Sequence, residues 1–322
     1  MKAIRVHQYG GPEAMKLDEL ATPMPGPGQA LVKIEAAGVN FIDIYQRSGQ
    51  LKGTLPVLLG LEGGGTVEAI GANVKEVKVG DRVTWQGIPG SYATHNVIPS
   101  QRLVVLPAKL SFHDGAAAML QGMTAHYLAL ATYPLKPGDT CLVHAAAGGV
   151  GLLLCQIAKM RGARVIGTVS TEAKAKLARE AGADEVILYT QQDFEAEVKR
   201  LTNGKGLNVV YESVGQTTFE KSLNCLAPRG YLALYGASSG PVPPVDPQIL
   251  NTKGSLFLTR PSLVHHVATR EELLQRAGEV LGWVAEGKLR LRIEHTYPLA
   301  GAGEAHKAMA GRQTTGKLLL LP

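Results

Sequence analysis

The chain has 322 residues, of which 45 % are apolar and 19 % are charged, a composition typical of a folded globular protein and not of a disordered or fibrous one. Its net charge is +6, but the basic residues form no run of five or more and are not interleaved with aromatic residues, which argues against nucleic acid as the primary ligand. The three cysteines form no CxxC pair and are odd in number, so we expect neither a disulfide framework nor a cysteine-based zinc site.

The start of the chain, MKAIRVH, lacks the apolar core of a secretory signal. No uninterrupted apolar stretch approaches the roughly 20 residues that a bilayer span requires. We therefore expect a cytoplasmic protein with no membrane partner.

The first third of the chain predicts a β-rich domain. Residues 31–36, 64–71 and 80–85 have the composition of short strands that end in glycine- or proline-containing turns. A succession of such strands is typical of a barrel-like domain. Near residue 111 cap-type residues precede an alanine- and leucine-rich segment, which predicts a helix over 115–130.

The middle of the chain alternates between strands and helices. Strands are predicted at 140–145, 164–169, 185–188, 207–211 and 231–235, and helices at about 149–161, 172–181, 193–202 and 219–226. This alternation predicts an α/β fold with a doubly wound parallel sheet. After about residue 270 a helix over 271–286 and a strand over 316–321 are predicted to return to the first domain.

The most specific local signal is the glycine-rich segment 145–151, AAAGGVG. It directly follows a predicted strand and opens a predicted helix, where glycines let the backbone approach a pyrophosphate and the helix N-terminus offers free N–H groups. A tight turn without a ligand is the alternative, and the strand–turn–helix context disfavours it. We expect Gly148, Gly149, Val150 and Gly151 to bind a dinucleotide.

The end of the next predicted strand indicates which dinucleotide is bound. NAD enzymes usually have an acidic residue there for the ribose 2′-hydroxyl, whereas this chain has Ser170, with Lys174 and Tyr189 placed to add contacts to a 2′-phosphate. Glu172 argues mildly against this, although a glutamate in the first turn of a helix is explained by the helix dipole. NADPH is therefore expected in preference to NADH.

With these features placed, the chain resembles the medium-chain dehydrogenase/reductase superfamily and, within it, the zinc-free quinone oxidoreductases related to zeta-crystallin. The resemblance covers essentially the whole chain and rests on segments 38–43, 60–65, 80–83, 145–151, 211–215 and 259–262. It implies a Rossmann NADPH-binding domain over 125–265 and a discontinuous GroES-like catalytic domain over 1–124 and 266–322. It also implies a homodimer, and the apolar segment 255–258 is expected to pair with its twin at a sheet edge.

The resemblance also implies that no metal is bound. Zinc alcohol dehydrogenases of the superfamily have a ligating cysteine where this chain has Asn40 and a histidine where it has Leu61. Neither side chain supplies a ligand of the kind that zinc prefers.

The resemblance assigns catalytic roles to Asn40 and Tyr45, whose amide and phenol groups would hydrogen-bond a quinone oxygen. The alternatives are a turn-fixing asparagine and an ordinary half-buried tyrosine. Glu62 is expected to be structural, and Gln121 stands where relatives often have lysine, which puts an ionic contact to the cofactor in doubt at that point. The resemblance assigns the remaining cofactor contacts to Phe41, Thr124, Ser213, Tyr235, Gly236, Ser238, Leu258, Thr259, Arg260 and Arg312.

These residues predict NADPH-dependent reduction of a small-molecule quinone by hydride transfer. Two alternatives stay open: an NADPH-dependent enone or alkenal double-bond reductase, and a low-turnover protein that binds NADPH and RNA. The fold does not separate the first alternative from quinone reduction, and only the positive charge supports the second.

Overall fold

The computed structural model describes residues 1–322, and its strands and helices belong to two units. The strands are β1 (Lys2–Val6), β2 (Met15–Glu19), β3 (Gln29–Val39), β4 (Val57–Leu58), β5 (Glu62–Ile70), β6 (Arg82–Gln86), β7 (His95–Pro99), β8 (Val104–Val105), β9 (Thr140–Val143), β10 (Arg164–Val169), β11 (Glu185–Leu188), β12 (Leu207–Glu212), β13 (Leu226–Leu234), β14 (Phe257–Thr259), β15 (Ile293–Pro298) and β16 (Lys317–Leu321). The α-helices are α1 (Phe41–Ser48), α2 (Phe112–Tyr127), α3 (Gly149–Met160), α4 (Glu172–Glu180), α5 (Phe194–Leu201), α6 (Phe219–Asn224), α7 (Gln248–Thr252), α8 (Leu263–His266), α9 (Arg270–Ala285) and α10 (Ala302–Ala310). The first unit comprises Met1–Met123 and Val267–Pro322, and the second comprises Thr124–His266.

The first unit is built on mainly antiparallel sheets. The larger sheet has the strand order β15-β16-β3-β5-β6-β8, with β7 also paired to β3, and a smaller sheet has the order β2-β1-β4. Trp85, Tyr92 and Ile98 are fully buried in the core between them. The last strand of the chain, β16, pairs with β3 so that Leu318 lies opposite Val39.

The second unit is a six-stranded sheet with the order β11-β10-β9-β12-β13-β14, and every strand pair in it is parallel. Numbered along the chain this is the doubly wound order 3-2-1-4-5-6, in which the direction of winding reverses between β9 and β12. Buried Leu142, Ile166, Val210 and Leu232 form its apolar centre. The predicted α/β class with a doubly wound parallel sheet is confirmed.

Side-chain caps set several helix starts. Thr171 accepts a hydrogen bond from the backbone N–H of Lys174 at the start of α4 (3.3 Å), and Thr269 caps α9 in a reciprocal pair with Glu272. The helix predicted over 115–130 in fact begins at Phe112, because the Ser111 hydroxyl accepts from the backbone N–H of Asp114 (3.1 Å). It passes into a π-helical turn at Leu128–Thr132. No helix of the protein combines the length and apolar character that a membrane span needs.

Candidate active site

In the second unit the glycine-rich segment forms a tight connection between β9 and α3. The Gly148 N–H donates to the carbonyl of Ala145 (2.8 Å), and Gly148 is the residue that precedes the helix. A Cβ added at Gly151 would lie 2.3 Å from the Ala145 carbonyl oxygen, so only glycine permits this approach of helix and loop. The first backbone N–H groups of α3 have no partner within the helix, as at any helix start. This geometry fits a pyrophosphate at the winding reversal of the sheet.

The residues predicted to bind the adenosine ribose and its 2′-phosphate lie near the end of β10. Ser170 follows the strand directly, and its carbonyl accepts from the Thr190 hydroxyl at the end of β11 (2.9 Å). The carboxylate of Glu172, the one feature that argued against a 2′-phosphate, forms an ion pair with Arg179 (2.7 Å). The acidic group nearest to Ser170 in sequence is thus paired with a cation of the same helix, in an exposed pair of small energy.

The remaining predicted cofactor residues of this unit cluster at the carboxyl ends of its other strands. Ser213 donates to the His144 carbonyl (3.3 Å), and the Ser238 N–H donates to the Ser213 carbonyl (3.2 Å). Burial raises the pKa of the Tyr235 phenol, so it stays a neutral hydrogen-bonding group. A Cβ at Gly236 would lie 2.5 Å from the Ser213 carbonyl. Leu258 and Thr259 lie in β14 and Arg260 follows it, while Thr124 is buried in α2.

Four predicted residues belong to the first unit. Asn40, Phe41 and Tyr45 lie at the start of α1, where the rings of Phe41 and Tyr45 have centroids 6.4 Å apart. Arg312 lies between α10 and β16 in the left-handed backbone region, with φ 56°.

Asn40 is 4 % exposed, and its side-chain amide is held by protein groups. Its Nδ2 donates to Glu62 Oε1 (2.7 Å) and more weakly to the Gly38 carbonyl (3.4 Å). Its Oδ1 accepts from Lys317 Nζ (3.0 Å) and from Gln121 Nε2 (3.4 Å). Gln121 therefore contacts Asn40 from the position where a lysine was expected from the resemblance.

Lys317 was not predicted from the sequence. It lies opposite Asn40 only because β16 pairs with β3, and a strand pairing between residues almost 280 positions apart has no local sequence signal. Its ammonium forms a buried ion pair with Glu62.

The residues at the positions of zinc ligands do not fit a zinc ion. Leu61 is aliphatic and has no donor atom, and the amide oxygen of Asn40 already accepts from an ammonium group. A dication placed on that oxygen would face the Lys317 charge, and the remaining ligands would still be missing.

A second buried polar cluster lies beside α1 and was also missed. The Tyr92 hydroxyl is 2.9 Å from Asp43 Oδ2 and 3.0 Å from His306 Nε2. Burial raises the pKa of Asp43 to about 7. Burial, together with the Arg47 charge, lowers the pKa of His306 to about 3. Both groups are thus held neutral in the folded protein at pH values where each is charged in water.

Comparison with known proteins places these features in context. The family model described as zinc-binding dehydrogenase matches residues 149–279, and that of the alcohol dehydrogenase GroES-like domain matches residues 26–109. A quinone oxidoreductase of Pseudomonas aeruginosa is 46 % identical, with 100 % of this chain and 99 % of that protein covered. The structure of Escherichia coli quinone oxidoreductase complexed with NADPH is 43 % identical and superposes with a TM-score of 0.98 over 100 % of both chains. A 2-haloacrylate reductase of a Burkholderia species is 42 % identical over 98 % of each chain.

Proposed function

Because the chain belongs to the quinone oxidoreductase family of the medium-chain dehydrogenases/reductases, we propose that it reduces quinones with NADPH and without zinc. The observation that carries the proposal is the glycine-rich turn between β9 and α3, followed at the end of β10 by Ser170 instead of a carboxylate. The relative from Escherichia coli, complexed with NADPH, supports the choice of cofactor.

When bound, NADPH supplies the hydride, and the protein supplies binding, orientation and exclusion of water. The N–H groups at the start of α3 would hold the pyrophosphate, and Ser170, Lys174 and Tyr189 would bind the 2′-phosphate. At the acceptor, the Tyr45 phenol donates to a quinone oxygen. The second amide hydrogen of Asn40, bonded only weakly at 3.4 Å to Gly38, is the other donor.

The test is a comparison of acceptors with purified protein. NADPH absorbance is followed with 1,4-benzoquinone or a naphthoquinone, with an enone, and with NADH in place of NADPH. Fast oxidation with quinone and NADPH supports the proposal. Tyr45→Phe, which keeps the ring and removes only the hydroxyl, should raise the quinone KM without changing NADPH binding.

A double-bond reductase is the second candidate, because one relative is named a 2-haloacrylate reductase at 42 % identity. Such an enzyme also needs a donor that polarises the conjugated carbonyl group, and Tyr45 has the right chemistry. A higher kcat/KM for the enone or for a haloacrylate than for any quinone would favour this candidate while leaving the cofactor assignment intact.

The assembly is proposed to be a homodimer formed at the edge strand β14. Phe257 in this strand is 48 % exposed and stacks on Tyr231, with ring centroids 4.4 Å apart. An exposed apolar edge strand favours pairing with a second copy.

The three cysteines are buried and unpaired, which suits the reducing environment of the cytoplasm, the location we propose.

A further inference from the structure

A buried charge pair lies where three neighbouring strands meet the first turn of α1. Asn40 follows β3, Glu62 begins β5 and Lys317 begins β16, and the sheet order β16-β3-β5 places them side by side. We propose that Lys317 is a positioning residue for quinone reduction: with Glu62, its ammonium fixes the orientation of the Asn40 amide. The inference rests on the proposed function, which places Asn40 at the acceptor.

Both carboxylate oxygens of Glu62 accept hydrogen bonds, and the donor to Oε2 is a backbone N–H whose position is fixed by α2. Oε2 accepts from the backbone N–H of Leu120 (2.7 Å), and Oε1 accepts from Asn40 Nδ2 (2.7 Å) and from Lys317 Nζ. A Cβ at Gly38 would lie 2.4 Å from Oε1, so the glycine makes room for the carboxylate over β3. The carboxylate thus has one well-defined position.

The charge pair selects one of the two orientations of the Asn40 amide. In the observed orientation the NH₂ group faces the carboxylate and the carbonyl oxygen faces the ammonium. A flipped amide would set its oxygen against Glu62 and its hydrogens against Lys317, so both contacts would become repulsive. Without the charges, the backbone partner that still distinguishes the two orientations is the Gly38 carbonyl, at a long 3.4 Å from Nδ2, so the preference for the observed orientation becomes weaker.

The orientation matters because only the observed one presents an amide donor beside Gly38. The flipped amide would present an oxygen there, which repels the oxygen of a quinone. The Lys317 ammonium contacts Asn40 Oδ1 and Glu62 Oε1, so its effect on the acceptor is exerted through Asn40. A buried ion pair adds little net stability compared with apolar side chains. Its effect here is on the orientation of the Asn40 amide.

Gln121 offers a way to move the ammonium without losing it. Its Nε2 already lies 3.4 Å from Asn40 Oδ1, so a lysine at this position reaches the same oxygen from α2. A protein with Gln121→Lys and Lys317→Met therefore keeps one cation beside Asn40 and Glu62, but this cation belongs to α2 and not to β16.

The experiment compares three variants with the wild type. Lys317→Met/Glu62→Gln removes both charges together, which avoids an unpaired buried carboxylate and protects folding. Gln121→Lys/Lys317→Met relocates the cation. Lys288→Met is the matched control, because it removes a lysine whose ion pair with Glu286 lies at the surface.

The neutral double variant is expected to lose about tenfold or more in quinone kcat/KM, since misorientation of one contact has effects of this size, while NADPH binds as in the wild type. The relocated lysine is expected to restore most of that loss, and Lys288→Met to match the wild type. Wild-type kcat/KM in the neutral double variant would overturn the inference. So would a folded relocation variant that is no more active than the neutral one.

A readout independent of turnover separates this inference from the proposed function. In protein labelled with nitrogen-15 asparagine, the side-chain NH₂ signals of Asn40 are assigned by their loss in Asn40→Ala. They should shift in the neutral double variant and return towards the wild-type position in the relocation variant. If the wild type does not oxidise NADPH with quinones, the proposed function fails, and these signals still decide whether Lys317 orients Asn40; unchanged signals refute it.

Discussion

We predict that Asp43 and His306 make the free energy of unfolding of the first unit depend on pH in opposite directions. In the wild type these two dependences cancel. The Asp43 pKa is raised from 3.8 to about 7 in the folded protein. Between these values the folded state keeps a proton that the unfolded state loses, so this group makes stability fall as the pH rises. The His306 pKa is lowered from 6.5 to about 3. There the unfolded state holds the extra proton, so this group makes stability rise with pH.

The two effects overlap between about pH 4 and pH 6.5, and each has a slope of about 1.4 kcal/mol per pH unit. Asp43→Asn removes the falling contribution, so from pH 4.5 to pH 6.5 the variant should gain about 3 kcal/mol relative to the wild type. His306→Asn removes the rising contribution and should lose a similar amount over the same interval.

The assay is urea unfolding followed by tryptophan fluorescence at several pH values. Both tryptophans, Trp85 and Trp283, lie in the first unit, so the signal reports the unit that contains the cluster. His113→Asn, at an exposed histidine, is the control and should follow the wild-type profile. Profiles of Asp43→Asn and His306→Asn that run parallel to the wild type would show that these two groups do not give the stability opposing pH dependences.

Three further predictions concern the cofactor and the assembly. Ser170→Asp places a carboxylate beside the expected 2′-phosphate and should weaken NADPH binding about tenfold or more without weakening NADH, as measured by fluorescence titration; equal weakening of both would contradict the assignment. Gly151→Ala places a methyl group 2.3 Å from the Ala145 carbonyl, so it should lower stability by about 1–3 kcal/mol and weaken both dinucleotides, whereas Gly204→Ala, in a loop with open space, should leave both affinities unchanged. Phe257→Lys should convert a dimer into monomers by light scattering, and a wild-type monomer at micromolar concentration would exclude the β14 interface.

The fold was predictable because its signals are local. The strand–helix alternation and the glycine-rich turn give the doubly wound sheet directly, since each parallel strand needs a covering helix. The bounds were less predictable: β13 begins at Leu226, five residues before the predicted strand. The predicted start of α2 is three residues too late, because the helix begins at Phe112, directly after its cap Ser111, and not at the alanine-rich segment that starts at residue 115.

The environment of the predicted acceptor residues was not predictable. Asn40 and Glu62 were singled out by resemblance, but their partner Lys317 reaches them through a long-range strand pairing. Asp43 belongs to segment 38–43, on which the resemblance rests, but no role was predicted for it. Its raised pKa results from burial beside Tyr92 and His306, contacts that only the folded chain brings together.

Hydride transfer from NADPH to a quinone is tested most directly by turnover of the purified wild-type protein with NADPH deuterated at the transferred position. We expect quinone-dependent oxidation with one NADPH consumed for each hydroquinone formed, and a slower single-turnover rate with the deuterated cofactor. Absence of quinone-dependent oxidation, or oxidation that proceeds equally well with NADH, would contradict it.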